Sequence, residues 1–189
     1  QIISQKIANQ AAVLTAVGQS PLSLIHLSRH VKSGDADNKE GQAARTYWPL
    51  LMGSDFRRER EAKGLNALLN YGYAILRAAT IRALISSGLL PALGIFHHHR
   101  SNAYPLADDV MEPFRPFVDH IIFSLVEENE MELTTSVKQR LVRVLFSDTI
   151  IKNERSPLMI ALTRTTASLA KSYAERSPLL LLPSFVEME

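Results

Sequence analysis

Apolar residues recur along most of the chain at the three- and four-residue spacing of helices. The longest such pattern covers residues 64–87, and Gly88 follows it as a residue typical of helix ends. We therefore predict one long helix in this region. The residues of its apolar face are Leu65, Leu68, Leu69, Gly72, Leu76, Ala79 and Ala83.

Shorter helices are predicted on both sides of the long one. Four begin near residues 3, 21, 37 and 105, and two more cover residues 134–147 and 157–175. Pro21 begins a helix, and Pro49 is expected to end another. Pro113 and Pro116 should kink or split a later helix. The proline-containing tail should be extended. Because no convincing strand-like alternation is found, we predict an all-α helical bundle in a single domain over residues 1–189.

The composition narrows the functional classes only a little. Of 189 residues, 46% are hydrophobic and 21% are charged, which is enough apolar content for a folded core. The net charge of +2 neither demands nor excludes a nucleic-acid partner. The absence of cysteine excludes disulfides, cysteine zinc fingers and thiol nucleophiles. No signal peptide or bilayer-spanning apolar run is found, so we expect a cytoplasmic protein without a membrane partner.

Two segments offer metal ligands or catalytic groups. Glu40 lies on a predicted helix beside small residues, which leave room next to its carboxylate. A solvated glutamate at a helix start is the alternative. His97, His98 and His99 are adjacent in a predicted loop, and imidazole is both a common metal ligand and a general base. A polar loop or a surface facing the DNA backbone is the alternative, and the roles of His98 and His99 stay open.

A third segment contains two acids on one predicted helix face. Asp109 and Glu112 are three residues apart, so their carboxylates repel unless water, a cation or a basic partner lies between them. A divalent cation is the usual remedy, and a solvated acidic first turn is the alternative. Arg115 could hold a carboxylate ligand or a phosphate, although an ion pair with Asp119 is the simpler account.

The combined set of carboxylates and imidazole suits Mg²⁺ or Mn²⁺ with open coordination positions, and manganese tolerates imidazole better than magnesium does. No His-Glu-x-x-His zinc motif, Gly-rich phosphate loop or nucleophile elbow is found. Nucleotide hydrolysis and serine-based catalysis are therefore not favoured.

These motifs occur in segments that resemble one family, CRISPR-associated protein one, the spacer-acquisition integrase, especially its form in type II systems. The matching segments are KIANQAAVL, EGQAARTYW, the stretch from DFRRE to FHHH, and LADDVMEPFRPFVD, over most of residues 6–119. Members of this family have an N-terminal β-rich domain and a C-terminal helical domain, and the chain resembles only the latter. Because the sequence begins with Gln1 rather than methionine, we expect that a preceding domain is absent.

The resemblance implies a Mg²⁺ or Mn²⁺ site formed by Glu40, His97 and Glu112. His97 is preferred because it is the third residue after Gly94, as in the family's Gly-x-x-His pattern. Asp109 is implied to support the site or to bind the metal transiently. The implied reaction is transesterification in antiviral defence, in which the 3′-OH of a captured DNA fragment attacks a phosphodiester of the repeat. The same chemistry with water is endonuclease cleavage.

The implied partners are double-stranded DNA, a second copy of the protein and the small ferredoxin-like CRISPR-associated protein. Three alternatives stay open: a catalytically incompetent helical DNA-binding or interaction fragment, an unrelated helical regulator, and a zinc hydrolase. Clustered cations usually supply phosphate contacts. The candidate DNA-binding residues are Arg57, Arg58, Arg60, Lys63 and Arg100, with Arg77 and Arg82 as weaker candidates.

Overall fold

The structure of the chain is a computed structural model that describes residues 1–59, 62–96 and 102–186. Helices dominate it. The eight α-helices of these residues are α1 (Ile2–Ala16), α2 (Leu22–Arg29), α3 (Lys39–Met52), α4 (Leu65–Ser86), α5 (Pro105–Met111), α6 (Arg115–Glu127), α7 (Thr135–Val142) and α8 (Leu158–Glu175). The strands are β1 (Asp148–Ile151), β2 (Glu154–Pro157) and β3 (Ser184–Phe185). Short 3-10 turns cover Ser33–Asp35, Glu112–Phe114 and Arg143–Phe146.

The long helix α4 is the centre of the main hydrophobic core, as its apolar stripe predicts. It packs against α5, α6, α7 and α8. Gly72 lets α6 approach closely, because a Cβ atom at this position would collide with the Val118 side chain. Gly88 adopts a φ of 74° after the helix, the left-handed conformation typical of a helix end.

The first three helices form a second core around Ile7, Leu14, Leu24 and Tyr47, which are fully buried. Asn9 connects this core to the remainder of the protein. Its side-chain amide donates to the carbonyl oxygens of Pro113 and Pro183 at 2.7 and 3.0 Å. Its side-chain oxygen accepts from the backbone N–H of Phe185 at 3.1 Å. Helix α1 is thereby fixed against both the turn between α5 and α6 and strand β3.

The all-α prediction is wrong, because the described residues contain a three-stranded antiparallel sheet in the order β2-β1-β3. Thr149 and Ile151 of β1 are buried, so inward and outward positions do alternate, but only over four residues. Lys152 and Asn153 form the two-residue turn of the β1–β2 hairpin, both with positive φ. Strands this short, without an Asn-Gly turn, carry too weak a pattern to be found in the sequence.

Proline positions were interpreted correctly in one place and wrongly in another. The predicted break near Pro113 is confirmed, because a 3-10 turn at Glu112–Phe114 separates α5 from α6. The predicted helix end at Pro49 is wrong, because α3 continues through Pro49 to Met52. Packing of Leu51 in the core offsets the local cost of a proline within the helix.

Candidate functional site

Glu40 lies in the first turn of α3, and two polar side chains fix that turn. The Asp35 carboxylate accepts from the backbone N–H groups of Lys39 and Glu40 at 2.8 and 3.0 Å. The Asn38 side chain caps the helix by accepting from the Gly41 N–H at 3.0 Å. The Glu40 side chain is 29% exposed, so its carboxylate reaches a cavity while its backbone is held firmly.

Glu112 lies in the 3-10 turn between α5 and α6 and is only 5% exposed. The following Pro113 has no N–H, and its carbonyl oxygen accepts from Asn9. Helix α1 therefore fixes the turn that carries the Glu112 carboxylate.

Lys6 brings Glu40 and Glu112 together. Its ammonium nitrogen lies 2.5 Å from Glu40 Oε1 and 2.5 Å from Glu112 Oε2. The other oxygen of Glu112, Oε1, accepts from Arg115 Nε at 2.8 Å. Two acids 72 positions apart in sequence thus share one cationic position, and Glu112 has a second cationic partner on its other side.

The electrostatics of Glu112 follow from these contacts. Burial alone would raise its pKa, but the charges of Lys6 and Arg115 and their hydrogen bonds outweigh burial and lower the pKa to about 2. Burial would likewise lower the pKa of Lys6, yet the charges of Glu112 and Glu40 raise it. At neutral pH, Glu112 is ionised and Lys6 is protonated.

Asp109 holds the segment that precedes the histidines. Its Oδ2 accepts from the backbone N–H groups of Ile95 and Phe96 at 2.6 and 2.9 Å, and the side chain is buried. Asp109, Phe96 and Glu112 line one cavity of about 340 Å³. Asp109 thus fixes the backbone immediately before His97, and its support of a metal site stays a prediction.

The segment after the histidines is held by a second acid. Asp108 forms an ion pair with Arg77 Nε at 2.8 Å and accepts from Asn102 Nδ2 at 2.7 Å. Arg77 also donates to Asn102 Oδ1 at 2.7 Å. Arg77 was a weaker candidate for DNA binding, and here its guanidinium is engaged by the protein itself. His97, His98, His99 and Arg100 lie outside the described residues.

Asp119 was not identified from the sequence as a site residue. It is buried and accepts hydrogen bonds from the hydroxyls of Tyr73 and Tyr47 at 2.5 and 3.1 Å. Burial outweighs these hydrogen bonds and raises the pKa of Asp119 to about 6. The suggested Arg115–Asp119 ion pair is wrong, because Arg115 donates to Glu112 and its guanidinium lies 4.5 Å from the centre of the Tyr73 ring.

Arg58, one of the predicted DNA-binding residues, reaches this site. Its guanidinium donates to the side-chain oxygens of Asn66 and Asn70 at 2.9 and 2.7 Å and lies 5.5 Å from the centre of the Tyr73 ring. Arg57 and Lys63 are exposed, and Arg60 lies outside the described residues. The sequence placed all four in one cluster, and of the three that the structure describes, Arg57, Arg58 and Lys63, only Arg58 lines the cavity.

These side chains line a cavity of about 480 Å³. A divalent cation fits the donor set, because two carboxylates, one of them held ionised, already share a single cation. Among residues 1–59, 62–96 and 102–186, no three His, Cys, Asp or Glu side chains are arranged to hold a metal ion. The third predicted ligand, His97, is outside these ranges. The residues lining the cavity include Lys6, Gln10, Glu40, Trp48, Arg58, Tyr73, Glu112, Arg115 and Asp119.

Comparison with known proteins assigns the family. Residues 1–154 match the model of the CRISPR-associated protein Cas1. The chain belongs to the Cas1 family. It is 38% identical over 180 residues to the CRISPR-associated endonuclease Cas1 of Neisseria meningitidis serogroup C (strain 8013). That alignment covers 93% of the chain but 59% of the relative, so the chain spans less than two thirds of that Cas1 protein.

Two solved structures share this fold. One is a casposase bound to an integration product, with a TM-score of 0.78, 25% identity, and coverage of 95% of this chain and 61% of that chain. The other belongs to a partial Cas6-RT-Cas1–Cas2 complex, with a TM-score of 0.74, 22% identity, and coverage of 100% and 68%. Within the described part of the chain, none of the helices combines the length and apolar character required to cross a membrane.

Proposed function

We propose that this chain carries the metal-dependent catalytic site of a DNA integrase and endonuclease of CRISPR adaptation. The observation that supports it is the convergence of Glu40 and Glu112 on one cationic position, 2.5 Å from each carboxylate. In a family whose curated relatives are named endonucleases, such a pair of acids is suited to hold Mg²⁺ or Mn²⁺.

The residues that would hold the cation are Glu40, Glu112 and His97. When bound there, a divalent cation lowers the cost of deprotonating an attacking hydroxyl and stabilises charge on the phosphate. Asp109 positions the segment leading to His97 through two backbone hydrogen bonds. Arg115 fixes the orientation of Glu112.

The proposed reaction is transesterification of DNA. The 3′-oxygen of a captured fragment forms a bond to the phosphorus of a repeat phosphodiester, and the bond from phosphorus to the repeat's own 3′-oxygen breaks. The proton of the attacking hydroxyl leaves, and the released oxygen takes up a proton, so no water is consumed. With water as the nucleophile, the same steps give cleavage. Arg58 lines the same cavity, and we expect its guanidinium, which donates to Asn66 and Asn70, to contact a phosphate oxygen as well.

The proposed partners are double-stranded DNA, a second copy of this protein and a small ferredoxin-like CRISPR-associated protein, in the cytoplasm. The casposase neighbour bound to an integration product supports the DNA partner, and the neighbour from a Cas1–Cas2 complex supports the protein partner. Because the chain spans 59% of its Neisseria relative, a second candidate is a helical DNA-binding fragment that needs further sequence for catalysis.

A strand-transfer assay tests the proposal. Labelled DNA with free 3′-OH ends is incubated with a repeat-containing duplex, Mn²⁺ and the chain, and both joined and cleaved products are measured. We expect products from the wild type, their loss in Glu112→Gln and His97→Ala, and wild-type levels in the exposed control His26→Ala. DNA binding without products in any variant would contradict catalysis by this chain and favour the second candidate.

A further inference from the structure

We infer that Lys6 is a built-in competitor of the divalent cation, an ammonium that occupies the position between Glu40 and Glu112 and must leave when metal binds. The inference rests on the proposed metal site and adds a residue that sets its affinity. Its basis is the pair of contacts that Lys6 makes with Glu40 and Glu112, since Lys6 itself is not a metal ligand.

Lys6 is placed by the fold rather than by chance rotation of an exposed side chain. Only 13% of its side chain is exposed. One turn further along α1, Gln10 lines the same cavity. Between them, Asn9 donates to the carbonyl oxygen of Pro113, the residue that follows Glu112. Helix α1 and the Glu112 turn are therefore hydrogen-bonded to each other beside the ion pair.

The geometry leaves little room for both cations. Glu112 Oε1 is engaged by Arg115 at 2.8 Å, so Oε2 is the oxygen left to bind a metal, and Lys6 lies 2.5 Å from it. The Glu40 oxygen nearest to the site is also in contact with Lys6. An ion that binds both oxygens at typical metal–oxygen distances would lie against a positive charge.

Competition has a physical consequence for selectivity. An ion that enters the site must displace the Lys6 ammonium from both carboxylates. A monovalent ion carries the same charge as the ammonium and therefore gains little by displacing it. A divalent ion gains more from the two carboxylates and can displace the ammonium on its flexible four-carbon chain. Lys6 thus keeps the two acids close together without metal and lowers the affinity for any cation that replaces it.

Calorimetric titration with MnCl₂ tests the inference on the 189-residue chain. We compare the wild type, Lys6→Met, Lys6→Arg and the control Lys171→Met, which removes a lysine paired with Glu175 on an exposed helix face. We expect Lys6→Met to bind Mn²⁺ at least about tenfold more tightly. In the wild type the metal must first break the attraction between Lys6 and the two carboxylates, and that attraction exceeds the free energy of a tenfold change in affinity. Lys6→Arg and Lys171→Met should stay within about twofold of the wild type.

The outcomes separate the inference from the proposed function. If the wild type binds Mn²⁺ and Lys6→Met binds it equally or more weakly, Lys6 supports the ligands rather than competing, and the inference is wrong while the metal site stands. If only Lys6→Met binds, competition is supported in its strongest form. If neither binds, both the metal site and the inference fail.

A second measurement uses the wild type and so does not depend on folding of the variant. Lysines are acetylated with an N-hydroxysuccinimide ester, and the rate at each site is followed by mass spectrometry with and without saturating Mg²⁺. We expect Mg²⁺ to accelerate modification of Lys6 at least about threefold while Lys171 is unchanged, because displacement exposes a buried ammonium. An unchanged or slower rate at Lys6 would overturn the inference.

Discussion

Two buried carboxylates on either side of Arg115 show how the partner of an acid decides its chemistry. Glu112 contacts Lys6 and Arg115, and its pKa falls to about 2. Asp119 accepts from the hydroxyls of Tyr47 and Tyr73, but these hydrogen bonds do not offset burial, and its pKa rises to about 6. Both are at most 5% exposed, so burial does not distinguish them. Cationic neighbours make one acid a permanent anion suited to metal, whereas neutral neighbours make the other a structural hydrogen-bond acceptor.

The largest loss of stability should come from removing a cationic partner of Glu112. Arg115→Met removes the Nε–H that Glu112 accepts and the contact with the Tyr73 ring, so a buried carboxylate loses one of its two cations. We expect the free energy of unfolding to fall by about 4 kcal/mol. Urea denaturation followed by circular dichroism measures it.

The matched control for Arg115→Met is Arg140→Met, which breaks the exposed ion pair with Glu128. Its cost should be at most about 1 kcal/mol, because water screens and solvates both groups. Equal losses in the two variants would show that burial of the Glu112 pair carries no energetic weight.

The two acids should give opposite dependences of stability on pH. The pKa of Glu112 is lower in the folded state, so its contribution is present above pH 4.5 and is lost as the pH falls toward 2. The pKa of Asp119 is higher in the folded state, so stability is lost as the pH rises from about 3.8 to 6. A shift of this size corresponds to about 3 kcal/mol.

Denaturant unfolding of the wild type and Asp119→Asn at several pH values isolates the second dependence. We expect the difference in unfolding free energy between the two proteins to change by about 2 kcal/mol between pH 4 and 7, in favour of the variant at the higher pH. A constant difference over this range would mean that Asp119 ionises as readily in the folded protein as in the unfolded one.

A smaller loss of stability should show the role of Asp119 as a hydrogen-bond acceptor, apart from its charge. At pH 4, where the folded carboxyl is protonated, Asp119→Ala leaves the hydroxyls of Tyr47 and Tyr73 without their acceptor. We expect a loss of about 2 kcal/mol in thermal or urea unfolding, against less than about 1 kcal/mol for Asp119→Asn. If Tyr47→Phe and Tyr73→Phe do not relieve the loss in Asp119→Ala, the tyrosine hydroxyls are not its cause.

Sequence reasoning predicted the helices and proposed Glu40, Asp109 and Glu112 as site acids, but it did not predict the neighbours that set the charge state of Glu112. The long stripe of α4 covers six turns, so its periodicity was unmistakable, whereas β1, β2 and β3 have four, four and two residues. Lys6 lies in a segment that was recognised only as resembling the family. Its pairing with Glu40 and Glu112 depends on how α1 packs, which local pattern does not encode.

The partners of Asp119 likewise could not be predicted from local spacing. Four residues after Arg115, it matched the spacing of a helical ion pair, yet burial between two tyrosines gave it different partners. Spacing along one helix states which side chains can meet, and packing between helices decides which of them do.

Mn²⁺ binding by isothermal calorimetry, measured for the wild type, Glu112→Gln and Asp119→Asn at pH 7.5, tests the central claim most directly. The account predicts about one equivalent bound by the wild type and by Asp119→Asn, and binding weakened at least about a hundredfold in Glu112→Gln, because only Glu112 shares its cationic position with Glu40. Loss of binding in Asp119→Asn with retention in Glu112→Gln would contradict it and would place the metal beside the tyrosines instead.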